Sequence, residues 1–153
     1  MMKKSLLLLA ALILGGCATH WPETALLNPQ VIPSNQQYYS GNRITMEGVD
    51  KREAAYVFSI KKKEKAPVLV NSSQPLNNLL AEKLAEGLRS QGLEVGNSGT
   101  TNLTLAISTA AVTVEEKTFT YVTKSKVSLQ VIADFQGNKL TKQFNMSSSK
   151  EEP

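Results

Sequence analysis

The chain has 153 residues and a formal charge of +4, from 17 Lys and Arg against 13 Asp and Glu. Half of that excess is Lys3 and Lys4; without them 15 basic residues face 13 acidic ones, a net +2 that removes most of the support for a nucleic-acid or basic membrane-surface reading. The length fits one small domain plus a tether, and with a single cysteine no disulfide can brace it, so stability must come from an ordinary core.

The first stretch, Met1 to Cys17, reads MMKKSLLLLAALILGGC. Lys3 and Lys4 form a charged n-region, Leu6 to Leu14 an apolar h-region, and Gly15-Gly16 supply small residues at a cleavage point. A spanning helix needs about 20 apolar residues, and this run is roughly half that, so it reads as a secretory signal. Leu14-Gly15-Gly16-Cys17 resembles the bacterial lipobox, which implies cleavage between Gly16 and Cys17 and a diacylglycerol and an N-acyl chain carried covalently on Cys17. No other cofactor is implied. One acyl chain holds a protein only marginally, whereas two or three hold it durably. The plainer alternative is a secretory signal followed by an exposed thiol. Residue 18 is alanine and not the aspartate that by resemblance retains lipoproteins in the inner membrane, so the expected address is the outer membrane of a Gram-negative bacterium, facing the periplasm.

Residues 17–41 follow as an expected lipid-anchored linker. Pro22, Pro29 and Pro33 and the polar runs Ser34 to Gln37 and Ser40 to Asn42 break any apolar period, which suits an extended, disordered tether. Trp21, Tyr38 and Tyr39 offer a second reading, docking on a partner or at the lipid headgroups. His20, the sole histidine, stands beside the anchor and is a poor candidate for metal or catalysis.

The expected folded unit is residues 42–153, a single α+β periplasmic domain: an antiparallel or mixed sheet packed by one main amphipathic helix. Ile44, Met46 and Val49 suggest a first strand running into Asp50-Lys51-Arg52, and Tyr56 to Ile60 and Pro67 to Val70 two more. Between those two, Lys61-Lys62-Lys63-Glu64-Lys65 reads as a solvated hairpin loop or as a contact for anionic glycan, lipopolysaccharide or phospholipid.

Leu76 to Gln91 carries leucines at 76, 79, 80, 84 and 88 on one stripe, with Pro75 in the first turn, Ser72 or Ser73 as cap and Gly92 as terminator. The stripe reads as sheet-facing core, and Gly87 as a point of close backbone packing. Next, Leu103, Leu105 and Ile107 alternate in a strand running to Val114, and Glu115-Glu116-Lys117 marks a turn. Val127, Leu129, Val131 and Ala133 then share a face opposite Lys124, Lys126, Ser128 and Gln130; Gln136-Gly137-Asn138 signals a hairpin, and Leu140, Phe144 and Met146 line one side of a last strand. The sum is a three-strand meander with one wet face.

Asp50-Lys51-Arg52, Leu76-x-x-Leu79-Leu80 with Gly92 and Val95, Leu103-x-Leu105-x-Ile107 and Gly137 to Lys142, in this order and behind the lipobox, resemble the YajG family of bacterial lipoproteins. The resemblance covers most of the chain past Cys17 and implies an α+β domain on an outer-membrane anchor with no established activity. Family members continue past an acidic-glycine-aromatic segment into a further helix, whereas this sequence stops at Glu151-Glu152-Pro153. That leaves either a C-terminally truncated chain or a sheet partly uncovered, whose open edge favours self-association.

The sequence carries no Cys/His metal spacing, nucleophile elbow or phosphate-binding glycine loop. A carboxylate-only hydrolase would have to draw on Asp50, Glu53, Glu115, Glu116 or Asp134, which read as turn or strand-end acids. The expectation is therefore a non-enzyme: a binding or accessory module that presents Asp50, Arg52, Lys61, Lys62 and Lys63 to an envelope protein, such as an enzyme of cell-wall synthesis or a transport complex. The alternative is a structural lipoprotein that touches peptidoglycan or lipopolysaccharide through charge.

Overall fold

A computed structural model describes residues 23–153; the signal segment, Gly16, Cys17, His20 and Trp21 lie outside the described residues. Eight strands and one main helix follow in the order β1 (Thr24–Ala25), β2 (Arg43–Asp50), β3 (Tyr56–Lys61), β4 (Val68–Ser72), α1 (Leu76–Arg89), β5 (Glu94–Val95), β6 (Thr101–Glu116), β7 (Tyr121–Phe135) and β8 (Asn138–Glu152). The strands form one mixed sheet, and α1 lies on one of its faces.

Strand β6 organises the sheet. Along one edge its first half pairs in parallel with β2, from Ile44 opposite Thr101 to Asp50 opposite Ile107, and its second half in parallel with β3, from Phe58 opposite Val112 to Lys61 opposite Glu115. Along the other edge it pairs antiparallel with β7 over its whole length, with a bulge between Ile107 and Thr109. The bulge falls where β2 leaves off and β3 begins, so the sheet bends at the change of partner. β3 and β4 form the hairpin expected around the lysine run, and β7 and β8 pair from Phe135 opposite Asn138 to Tyr121 opposite Glu152.

Register places Leu105, Val131 and Lys142 on one rung and Ile107, Leu129 and Phe144 on the next, all on the face that carries α1. The core is Val57, Leu76 and Ile107, with Leu27, Phe58, Leu79, Leu80, Ala110 and Leu129 packed against it. The opposite face is polar: Glu47 accepts a hydrogen bond from Thr104, and the Ser128 hydroxyl donates to the Asn145 side-chain oxygen. A wet face opposite a helix-covered one follows from the alternation in the sequence.

Four expectations need correcting. First, the stretch read as a free tether is docked in its described part. Glu23 and Ala25 accept hydrogen bonds from the backbone of Asn71 and Ser73, Gln74 donates to the Leu27 carbonyl, the Ser34 amide donates to Ser90, and Tyr39 donates to the Gln91 carbonyl. Ala25, Leu27, Pro29 and Val31 are partly buried while Leu26, Asn28, Gln30 and Ile32 are exposed, the period of an extended strand laid on a surface. Second, no serine caps α1: Pro75 holds the N-cap position, and the Ser72 hydroxyl accepts from the Gln74 amide instead. Third, β6 runs through Glu116, and the turn falls at Lys117 to Thr120, closed by the Lys117 amide on the Thr120 carbonyl. Fourth, the close glycine is not Gly87, where an added Cβ would meet only Val31 at 3.4 Å, but Gly48 on β2, where it would lie 2.7 Å from the Asn77 carbonyl carbon. Gly92 does adopt the positive φ, +89°, that ends the helix.

Candidate functional site

The corner after β2 is built by Arg52. Its guanidinium donates to both Asp50 carboxylate oxygens, at 2.8–3.2 Å, and reaches the backbone carbonyls of Tyr56 at 3.2 Å and Ala110 at 3.4 Å. The Arg52 side chain is only 7% exposed. Its hydrogen bonds hold the Asp50 carboxyl below the usual carboxylate range, against a smaller opposing effect of burial. This side chain, expected to face a partner, is spent inside the fold: it joins the β2–β3 connection to the strand beyond the β6 bulge.

The lysine run sits at the β3–β4 hairpin, with Glu64 at a positive φ of 57°. Lys61 pairs with Glu115 at 3.4 Å across the β3–β6 rung, Lys124 reaches the other oxygen of Glu115 at 3.3 Å from β7, and Lys63 donates to the Thr118 hydroxyl at 2.9 Å. Lys124, then Lys61, lowers the Glu115 pKa. Lys61 and Lys63 are thus tied to β6 and the turn beyond it. Lys62 belongs to the same hairpin.

A third region was not singled out in the sequence. Between α1 and the sheet runs an open groove of about 770 Å³, with Leu80, Leu84 and Leu88 on the helix side, Leu105, Leu129 and Val131 on its floor, and Phe144 and Met146 at its β8 rim. Tyr39 closes one end and Lys142 adds the one charge. The cause is the seat of the helix. Gly48 admits the backbone of Asn77, whose side-chain amide donates to the Gly48 carbonyl at 3.0 Å, so the small residues Ala81 and Ala85 are buried on this helix together with Leu76. The leucine stripe, expected to be core along its whole length, is split: Leu76 is core, Leu79 and Leu80 pack on it, and Leu84 and Leu88 are left half-covered above β7 and β8. Phe144 and Met146 are 46% and 62% exposed.

A family model described as an uncharacterized lipoprotein matches residues 29–153. The chain belongs to this family, the YajG lipoproteins. Membership places it among membrane-anchored envelope proteins. No curated protein matches it. Among solved structures, a protein of the DUF330 family from Xanthomonas campestris overlaps at a TM-score of 0.57, with 9% identity over 82% of this chain and 77% of its own, a likeness of fold alone. An uncharacterized protein of known structure gives a TM-score of 0.39 and 17% identity, over 74% of this chain and 76% of that one.

Three of the five candidate acids of this YajG-family domain are occupied as counter-ions. Asp50 serves Arg52, Glu115 serves Lys61 and Lys124, and Asp134 lies 3.7 Å from Lys139 while accepting the Gly137 amide. Among the described residues, no group of three or more His, Cys, Asp and Glu converges as a metal site, and no helix is long and apolar enough to cross a membrane.

Proposed function

We propose that the protein is a non-catalytic binding or accessory module of an envelope protein complex, held at the outer membrane through lipidated Cys17, and that the groove between α1 and β7–β8 is its binding surface. The observation that carries this reading is the apolar lining of that open groove: Leu84, Leu88, Val131, Phe144 and Met146 in one concavity of about 770 Å³, with one lysine at its rim. An open concavity of this size, lined mainly by apolar side chains, is the first place to look for a binding site. The charge-only reading has less support, because Lys61 already pairs with Glu115 and Lys63 already bonds Thr118.

Photo-cross-linking in the native cell tests the proposal, with probes at Leu84 and Leu88 in the groove, at Lys62 in the hairpin and at Glu53 beside the Arg52 corner. One dominant protein adduct from the groove probes, absent from the others, is the expected result. Adducts confined to the hairpin probe and made to glycan or lipid would overturn it in favour of a structural, charge-driven role.

A further inference from the structure

Among the described residues strand β8 has a neighbour on one side only, and every one of its residues from Asn138 to Glu152 is exposed. At the other ends of the strand order β1 and β5, two residues each, cover only part of the short strands β4 and β2, so β8 is the longest uncovered edge among the described residues. Folded proteins blunt their sheet edges by shortness, charge, proline or bulges. β8 has no proline and no break in register against β7, and between Lys142 and Lys150 it carries no charge.

We infer that β8 pairs with β8 of a second copy, antiparallel about a two-fold axis at Asn145, so that two sheets become one. Three features of the strand select this register. The turn at Gln136-Gly137 has φ of 51° and 86°, so Phe135 and Asn138 form the hydrogen-bonded pair that closes a two-residue hairpin. Even-numbered residues of β8 therefore direct their backbone groups to β7, and odd-numbered residues from Lys139 to Glu151 direct theirs outward. A two-fold at Asn145 sets odd against odd, so each outward N–H meets an outward carbonyl.

Charge complementarity is the second. The strand is basic at its start and mixed at its end, and this register sets Lys139 opposite Glu151 of the partner at both ends of the ladder, with no like charges face to face. Sliding by two residues one way sets Lys142 against the partner's Lys150; sliding the other way sets Lys139 against Ser149 and loses the pair. A parallel, in-register pairing would stack each lysine on its own copy. Opposite charges directly across a ladder stabilise by about 0.2–1 kcal/mol and like charges destabilise by as much.

The third is apolar. Phe144 falls opposite Met146 of the partner, and Met146 opposite Phe144, on the face that carries α1. Thioether against ring is a favourable contact, and the two pairs adjoin across the axis to cover surface now open at the groove rim. Leu140, 75% exposed, meets the aliphatic stem of the partner's Lys150.

The full chain in detergent tests this. Sedimentation velocity should report a dimer; K139E should weaken it about tenfold, and adding E151K should restore it. Oxidation then reads the register, because facing Cα atoms of a hydrogen-bonded pair lie about 5.5 Å apart, within disulfide reach. N145C should bridge to itself. T141C and S149C should each stay unbridged alone and bridge when produced together, and the unsubstituted chain run alongside reports any link through Cys17. A monomer by sedimentation, a dimer in which none of these cysteines bridges, S149C bridging to itself as readily as N145C, or a bridge to a different protein would each overturn the proposal.

Discussion

Arg52 shows how little a residue's type says about its job. In the sequence, Asp50-Lys51-Arg52 is a charged turn and reads as a surface to be met by a partner; in the fold the arginine is nearly enclosed and feeds four acceptors on three separate stretches of chain. The spacing of Asp50 and Arg52 hints at their pairing. The carbonyls of Tyr56 and Ala110 do not announce themselves, because the bulge in β6 that presents Ala110 is a product of two strands sharing one edge. Arg52→Ala strands those carbonyls and leaves Asp50 without its counter-ion, which should cost about 2 kcal/mol in urea unfolding at neutral pH. Lysine should recover only part of this, having charge but not the planar fork. The pH dependence has a definite sign. Asp50 has a folded-state pKa below the ordinary aspartate value of about 3.9, so its contribution is complete above about pH 4 and disappears as pH falls through the lowered value. The stability gap between the native chain and Arg52→Ala should therefore narrow as pH falls below about 4; a gap of constant size would show that the arginine acts through packing and the two carbonyls and not through Asp50.

At the scale of elements, the sequence was most readable where a period repeats. The alternation over Leu103 to Ile107 and over Val127 to Ala133, the glycine turn at 137 and the leucine spacing from 76 to 88 each correspond to an element that forms. What periodicity does not carry is which residues of a stripe go deepest. For α1 that was decided on another strand, by the missing side chain of Gly48, and no feature local to the helix records it. Two substitutions separate these levels. Gly48→Ala would drive a methyl group into the backbone of Asn77 and should destabilise by about 2–3 kcal/mol, the cost of overpacking a close contact. Gly87→Ala, near the other end of α1 and meeting only Val31 at 3.4 Å, should stabilise by about 0.5–1 kcal/mol through helix propensity and a less free unfolded chain. Thermal unfolding of the two variants side by side checks the pair; equal signs would mean that α1 is not seated on Gly48.

For the whole molecule, the decisive segment is the one whose composition spoke least. Prolines, glutamines and asparagines in residues 23–41 read as a tether, yet every second residue from Ala25 to Val31 turns inward, and Leu27 reaches the central core. Pro29 and Pro33 hid an extended segment, since proline suits an edge that lies on a surface and is paired only at Thr24-Ala25. This changes how far the domain can stand from its anchor. Had residues 17–41 been free, an extended chain from Cys17 to Asn42 would span roughly 85 Å, whereas the six steps from Cys17 to docked Glu23 span at most about 20 Å. Lipid on Cys17, as proposed, would hold docked Glu23 within about 20 Å of the anchor. Leu27→Ser should remove part of the docking energy, about 1–2 kcal/mol in urea unfolding, where a free tether would show no change. A photo-reactive residue at Leu26, 80% exposed, should label lipid in the native chain, and a flexible insertion of about 20 residues between Pro22 and Glu23 should cut that labelling several-fold. If the insertion leaves lipid labelling as it was, the docked segment is not what sets the height of the domain; if it cuts labelling while unfolding is unaltered, the short chain from Cys17 is the ruler and the partner site lies within reach of the membrane surface.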